Sequence, residues 1–169
     1  MKNDVEGISY AEVINDDRNN VWHHLVQHRP FEESGPMVVV EGEGMRIRDA
    51  KGKEYLDATS GGLWTVNIGY GRESMARAVH DQLLKMCYFA NTAGNVPGAL
   101  FAEKLIEKMP GMGRVYFSNS GSEANEKAYK MVRQIGALNS DGVKHKIIFR
   151  DRDYHGTTIA ALSSTGQFE

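Results

Sequence analysis

Hydrophobic and polar positions in the first half of the chain change their spacing several times. From Tyr10 to about Gln27 apolar side chains recur at helical spacing, and the polar segment Asn15–Asn20 interrupts them, which predicts one helix or two short ones. The β-branched run Met37–Val40 predicts a strand. Met45–Arg48 and Glu54–Leu56 flank a glycine-containing turn of hairpin length, so a small antiparallel ribbon is expected here.

A glycine-rich segment separates this ribbon from two predicted helices. Ser60–Gly71 combines four glycines with large apolar side chains, which is typical of an irregular loop. Apolar residues at spacings of three and four predict an amphipathic helix over Glu73–Met86. A second helix is expected to begin near Pro97 and to end before Pro110, because proline suits the first turn of a helix and breaks its interior.

The second half of the chain alternates strand-like and helical segments. Short apolar runs at Arg114–Ser118 and Lys146–Arg150 predict strands, with a helix over Glu123–Gly136 between them and another near Thr157. This order predicts a parallel sheet with right-handed crossovers, and therefore an α/β fold. Because such a sheet normally has more than two strands, we expect the sequence to be the N-terminal part of a longer, here incomplete, α/β protein.

Composition and charge exclude several classes of protein. The 169 residues are 41% hydrophobic, and 20 basic against 22 acidic side chains leave a net charge of −2, which does not favour a nucleic-acid partner. No stretch reaches the ~18 apolar residues of a membrane span, and the N-terminus lacks the pattern of a secretory signal. With a single cysteine, Cys87, and scattered histidines, we expect no disulfide and no metal site, and predict a cytoplasmic protein.

The segment Ser120–Ser122 is the first candidate binding site. It lies between a predicted strand and a predicted helix, where free backbone N–H groups and the positive end of the helix dipole favour a phosphate. Gly121 permits close approach of a ligand to the backbone, and the neighbouring hydroxyls add donors. The pattern also fits a simple helix cap with Ser122 as the capping residue, so both interpretations stay open.

Two further segments carry candidate ligand contacts. Asp151–Gly156 follows the second predicted strand, and it should lie on the same side of the sheet as Ser120–Ser122, because ligands bind beyond the carboxyl ends of parallel strands. Tyr154 would present its ring to a planar ligand, with His155 beside it. A core tyrosine and a hydrogen-bonded loop histidine are the alternatives. Trp64, in the glycine-rich loop, fits either a packing residue or a wall of a substrate pocket.

Three stretches of the chain carry a family resemblance: Asp57–Gly71 (DATSGGLWTVNIGYG), Tyr116–Lys130 (YFSNSGSEANEKAYK) and Asp151–Thr158 (DRDYHGTT). They resemble the class III pyridoxal-phosphate aminotransferases, the ω-transaminase group of the fold-type I enzymes, and the likeness covers nearly the whole chain. Within the group, the sequence is most similar to enzymes that transfer the amino group of taurine to pyruvate. β-Alanine or another ω-amino acid is the alternative donor.

The resemblance implies both an architecture and a set of roles. Residues 1–70 would form an N-terminal helix and a β-ribbon of the small domain, and residues 71–169 the first part of the large, mostly parallel sheet domain. Pyridoxal 5'-phosphate would be the cofactor, Trp64 would help wall the substrate pocket, and the partners would be the amino donor, pyruvate and a second subunit in a homodimer. The residues assigned to the cofactor are Ser120, Gly121, Ser122, Tyr154 and His155.

The resemblance also implies groups that lie outside the matched stretches. The cofactor needs a lysine for its Schiff base and an acidic residue at the pyridine nitrogen, and in the family both come later in the sequence. No catalytic residue is therefore expected in this chain, which should not turn over alone. Two other hypotheses stay open: a non-catalytic module for a phosphate ligand or for assembly, and the same fold with aminomutase, racemase or decarboxylase activity.

Overall fold

The chain divides into two compact units, Met1–Phe89 and Ala90–Glu169. The structure is a computed structural model that describes residues 4–5 and 8–167. Among these residues, no helix is both long enough and apolar enough to cross a membrane.

Short strands and two helices begin the first unit. The elements are β1 (Asp4–Val5), β2 (Ile8–Ser9), α1 (Tyr10–Asn20) and α2 (His28–Ser34), with β1 and β2 antiparallel. Ser9 and Glu12 form a capping box at the start of α1, which satisfies two backbone N–H groups. The helix predicted to reach Gln27 ends at Asn20 because Val21 is extended, and the second helix lies further along the chain than the pattern indicated.

A three-stranded antiparallel sheet follows in the order β3 (Val39–Glu43), β4 (Arg46–Asp49) and β5 (Glu54–Leu56). The Asp49 carboxylate accepts the N–H groups of Lys51 and Lys53 at 2.9 Å each, and thereby holds the turn between β4 and β5. The predicted ribbon is confirmed. Its first strand is displaced towards the C-terminus, because pairing with β4 and not hydrophobicity sets where a strand begins and ends.

The glycine-rich segment and one helix complete the first unit. Ser60–Trp64 is a wide turn whose backbone leaves helical geometry at Gly61, Gly62 and Leu63, so the predicted irregular loop is confirmed. The helix α3 (Glu73–Lys85) follows at the predicted position.

Over its described residues, 90–167, the second unit has the helices α4 (Val96–Lys108), α5 (Gly121–Asn139) and α6 (Ile159–Ser163), joined by long irregular segments. The helices confirm the predicted pattern, and Asn95 caps α4 ahead of its early proline. The predicted strands at Arg114–Ser118 and Lys146–Arg150 are wrong for the described residues, where neither segment pairs with another. A strand is stable only with a neighbour that accepts and donates its backbone hydrogen bonds, and composition alone does not supply one.

The described residues bury few side chains. Ala50 and Ala161 are the hydrophobic residues found buried, whereas Leu84 on α3 is 77% exposed and Leu138 on α5 is 78% exposed. The apolar helix faces predicted from the sequence are therefore present but uncovered. Exposed apolar faces of this extent are typical of surfaces that pack against further protein.

Candidate functional site

The N-terminus of α5 is organised by a helix cap. The Ser120 hydroxyl accepts the N–H of Glu123 at 3.2 Å, and the Glu123 carboxylate accepts the N–H of Asn119 at 2.7 Å. The interpretation in which Ser122 caps the helix is therefore wrong, and the cap lies two residues earlier. This leaves Gly121 and Ser122 as the first two helical residues, at the positive end of the helix dipole.

The polar groups beyond this cap fit an anionic ligand. Among the described residues, the backbone N–H groups of Gly121 and Ser122 have no hydrogen-bond acceptor. A Cβ built on Gly121 would meet no atom within 4 Å, so there is open space where a ligand would approach the backbone. Within the same part of the structure, the buried Ser118 hydroxyl oxygen also has no partner. Two unused backbone donors next to open space are what a phosphate requires.

The segment Asp151–Gly156 was predicted to lie beside the turn Ser120–Ser122, and this segment and the residue after it do contact the start of α5. The Thr157 N–H donates to the Ser122 hydroxyl oxygen at 3.2 Å, and the Asn125 side-chain amide donates to the His155 carbonyl at 2.7 Å. Gly156, at a φ of +129°, packs so closely that a Cβ there would lie 2.2 Å from the Ser122 hydroxyl oxygen. The predicted convergence is confirmed, although no parallel sheet among the described residues produces it.

Tyr154 and His155 differ in how they are held. The Tyr154 side chain is 47% exposed and makes no hydrogen bond among the described residues, which leaves a ring face open to a ligand. His155 is half-buried, and its backbone N–H donates to the Thr165 hydroxyl oxygen at 3.1 Å. The exposure of Tyr154 argues against a core role, and the backbone contacts of His155 agree with support of the loop.

Glu126 attaches α6 to α5. Its carboxylate accepts the N–H groups of Ala160 at 2.8 Å and Ala161 at 3.2 Å. The Thr158 hydroxyl beside it and these two amides hold the pKa of Glu126 below its ordinary value. Sequence reasoning missed this residue and Asn125, because the partners of both lie more than twenty-five residues away. The one local signal was that Asn125 and Glu126 are polar and lie on α5 just after the candidate segment Ser120–Ser122.

In the first unit, Asp57 organises the loop that carries Trp64. Its carboxylate accepts four hydrogen bonds, from the N–H and hydroxyl of Thr59, from the Gly61 N–H at 2.7 Å and from the Tyr70 hydroxyl at 2.7 Å. Trp64 lies at the end of this turn with a φ of +59° and a side chain that is 75% exposed. This exposure argues against Trp64 as a packing residue of its unit.

Asp57 should make the stability of the first unit depend on pH. The Tyr70 hydroxyl and the other donors hold the pKa of Asp57 far below its ordinary value of 3.8. A carboxylate with a lowered pKa in the folded state stabilises at neutral pH, and this contribution is lost as the pH falls below about 4. The bond to Asp57 raises the pKa of Tyr70, so a second contribution is lost as the pH rises above about 10.

Asp57→Asn tests this dependence, because an amide cannot accept all four hydrogen bonds. The variant should melt at a lower temperature than the unsubstituted chain at pH 7, and the difference should shrink steadily below about pH 4. Circular dichroism melts over a pH series measure it. Glu32→Gln is the matched control, since the exposed Glu32 makes no hydrogen bond among the described residues. An equal pH dependence in both variants would contradict the role of Asp57.

Comparison with known proteins assigns the chain and its fold to a family. The family model for "Aminotransferase class-III" matches residues 29–169, and the chain belongs to this family. The resemblance inferred from the three motifs is thereby confirmed. Class-III aminotransferases depend on pyridoxal phosphate.

Within this family, the chain is similar to aminotransferases that are named for taurine and pyruvate. The chain is 63% identical over 167 residues to the hypotaurine/taurine–pyruvate aminotransferase of Paracoccus denitrificans, covering 99% of this chain and 36% of the relative. It is 64% identical over 157 residues to the taurine–pyruvate aminotransferase of Rhodobacter capsulatus, covering 93% and 34%. The chain thus spans about a third of the length of the curated relatives it matches.

Solved structures agree on the fold. The ω-transaminase of Pseudomonas jessenii in complex with PMP matches with a TM-score of 0.87 and 34% identity, over 92% of this chain and 35% of that one. A Bacillus anthracis aminotransferase matches with a TM-score of 0.85 and 41% identity, over 94% and 34%. These matches confirm the predicted α/β, fold-type I class, and the chain corresponds to about a third of each solved chain.

Proposed function

We propose that this chain forms the phosphate side of the cofactor site in a pyridoxal-phosphate aminotransferase that transfers the amino group of taurine to pyruvate. It would do so within a polypeptide of the length of its relatives. The observation that carries the proposal is the pair of unpaired N–H groups at Gly121 and Ser122, beside the docked segment with Tyr154. Identity of 63% or more to taurine–pyruvate aminotransferases supports the donor.

The chain's own residues bind and orient in this proposal. The N–H groups of Gly121 and Ser122 donate to the phosphate. The Ser122 hydroxyl accepts from Thr157 and keeps its own proton free to donate to the same group. Ser120 shapes the turn through its cap, Tyr154 covers one face of the pyridine ring, and His155 supports that loop. When bound, the cofactor supplies an electrophilic carbonyl and a ring that stabilises negative charge.

Trp64 and the subunit arrangement complete the proposal. The exposed Trp64 side chain is proposed to wall the substrate pocket, held in place by the loop that Asp57 organises. The Schiff-base lysine and the acidic partner of the pyridine nitrogen are proposed to lie outside this chain. We further propose that the enzyme is a cytoplasmic homodimer, and that residues 1–70 and 71–169 belong to its small and large domains.

An assay of amino transfer tests the donor and the reaction together. A polypeptide that contains this chain and has the length of its relatives is incubated with pyridoxal 5'-phosphate, pyruvate and either taurine or β-alanine, and alanine is quantified. We expect alanine from taurine, at a higher kcat/KM than from β-alanine. Preference for β-alanine would overturn the choice of donor. Phosphate binding without any alanine would support the alternative of a non-catalytic module. The 169-residue chain by itself is the matched negative control.

A further inference from the structure

The peptide groups on both sides of His155 are held by side chains from two separate segments of the chain, the helix α5 and the residues that follow α6. The Asn125 amide on α5 donates to the His155 carbonyl at 2.7 Å, and the Thr165 hydroxyl oxygen accepts the His155 N–H at 3.1 Å. The Thr165 hydroxyl has one proton and two acceptors within reach, the Gly156 carbonyl at 3.2 Å and the Ala161 carbonyl at 3.0 Å. Both backbone polar groups of His155 are therefore satisfied by side chains.

The two hydrogen bonds at His155 affect the orientation of the neighbouring Tyr154 ring. Because the Tyr154 side chain makes no hydrogen bond among the described residues, the direction of its ring depends on its backbone and its rotamer. A backbone held at the next residue restricts that direction, because the Cα–Cβ bond of Tyr154 then has a defined orientation. Small displacements of a group that orients a reacting ligand carry large costs in rate, so such anchoring matters more here than in an ordinary loop.

Asn125 also connects the turn Ser120–Ser122 with the segment that carries Tyr154, because it lies on the helix that begins at this turn. It lies three residues after Ser122 on α5, and residues at this spacing share one face of a helix. Ser122 accepts from Thr157, on the other side of the same segment. The distance between the phosphate turn and the segment carrying Tyr154 is therefore set by the rigid first turns of α5.

We propose that Asn125 is a positioning residue, which orients the Tyr154 ring over the cofactor by holding the His155 carbonyl. This inference rests on the proposed function, because it presumes that Tyr154 covers the pyridine ring. Asn125 would act only on the orientation of Tyr154. A substitution of Asn125 should therefore change how the ring of the cofactor is held, and should not change how its phosphate is bound.

Two probes separate these effects. Inorganic phosphate, measured by calorimetry, reports only the turn at Gly121 and Ser122. Pyridoxal 5'-phosphate, measured by its induced circular dichroism in the visible range, reports the asymmetric environment of its ring. In Asn125→Ala the phosphate affinity should stay within about twofold of the unsubstituted protein. Pyridoxal phosphate should bind up to about tenfold more weakly, with a reduced visible band, because ordering the released loop around the ring costs at most about the free energy of the lost hydrogen bond.

Two further variants keep the test decisive. Asn125→Asp preserves the size of the side chain but replaces the donor with an acceptor, so it should show the same loss without creating a cavity. Gln134→Ala, an exposed polar position on the same helix, should leave both affinities and the visible band unchanged.

The outcomes distinguish this inference from the proposed function. An unsubstituted protein that binds phosphate but shows no visible band with pyridoxal phosphate would overturn the proposed function, and this inference with it. A normal band in the unsubstituted protein that persists in Asn125→Ala would overturn only the role of Asn125. Equal losses of phosphate and pyridoxal phosphate affinity in both Asn125 variants would assign Asn125 to the stability of the fold, and would also overturn the positioning role.

Discussion

Gly156→Ala should lower the free energy of unfolding of the second unit by about 2 to 4 kcal/mol, which combines backbone strain and overpacking. Gly156 has a φ of +129°, a conformation that residues with a Cβ rarely adopt. The added methyl group would also lie 2.2 Å from the Ser122 hydroxyl oxygen and 3.0 Å from the Ala161 Cβ. Relief of this clash requires the segment after Tyr154 to move away from α5.

Urea titration followed by circular dichroism measures this effect, and Gly142→Ala is the matched control. Gly142 also has a positive φ, of +76°, but a Cβ there would meet no atom within 4 Å. The control should therefore show only the backbone strain, about 1 kcal/mol. If the two variants lost equal stability, the close packing of Gly156 against Ser122 would have no energetic weight.

Gly121→Ala should weaken the binding of pyridoxal 5'-phosphate by roughly 10- to 100-fold, since a Cβ would occupy the space through which the phosphate reaches the backbone N–H groups. The fold should be unaffected. Gly121 does not have a positive φ, and its Cβ would meet no protein atom within 4 Å. Alanine is also well tolerated in the first turn of a helix.

Gly113→Ala is the control for this substitution, because Gly113 likewise lies outside the left-handed region and has open space around it. Melting curves of both variants should superimpose on that of the unsubstituted protein, while only Gly121→Ala loses affinity in a calorimetric titration. Unchanged affinity of Gly121→Ala would show that the phosphate does not approach this part of α5.

The candidate site could be predicted from the sequence where its residues are local. The turn Ser120–Ser122 and the pair Tyr154–His155 lie in short motifs, and the pattern of positions around them predicted that the two segments converge. The contact between Asn125 and His155 joins residues thirty positions apart, and no periodicity indicates it. The helix cap also moved from Ser122 to Ser120, because backbone geometry and not residue type selects between neighbouring serines.

By itself, the sequence determined the helices α3 to α6, the small ribbon, the irregular glycine-rich loop and the family, because spacing, turn residues and motifs are properties of neighbouring positions. Tertiary structure alone decided which polar groups found partners. It turned Glu126 toward the amides of α6 and gathered four donors on Asp57. Within the part of the chain that the structure describes, it left Arg114–Ser118 and Lys146–Arg150 without strand neighbours. The physical reason is that hydrogen bonds and burial between distant segments depend on which surfaces meet in the fold, and hydrophobic periodicity specifies only which face of an element is apolar.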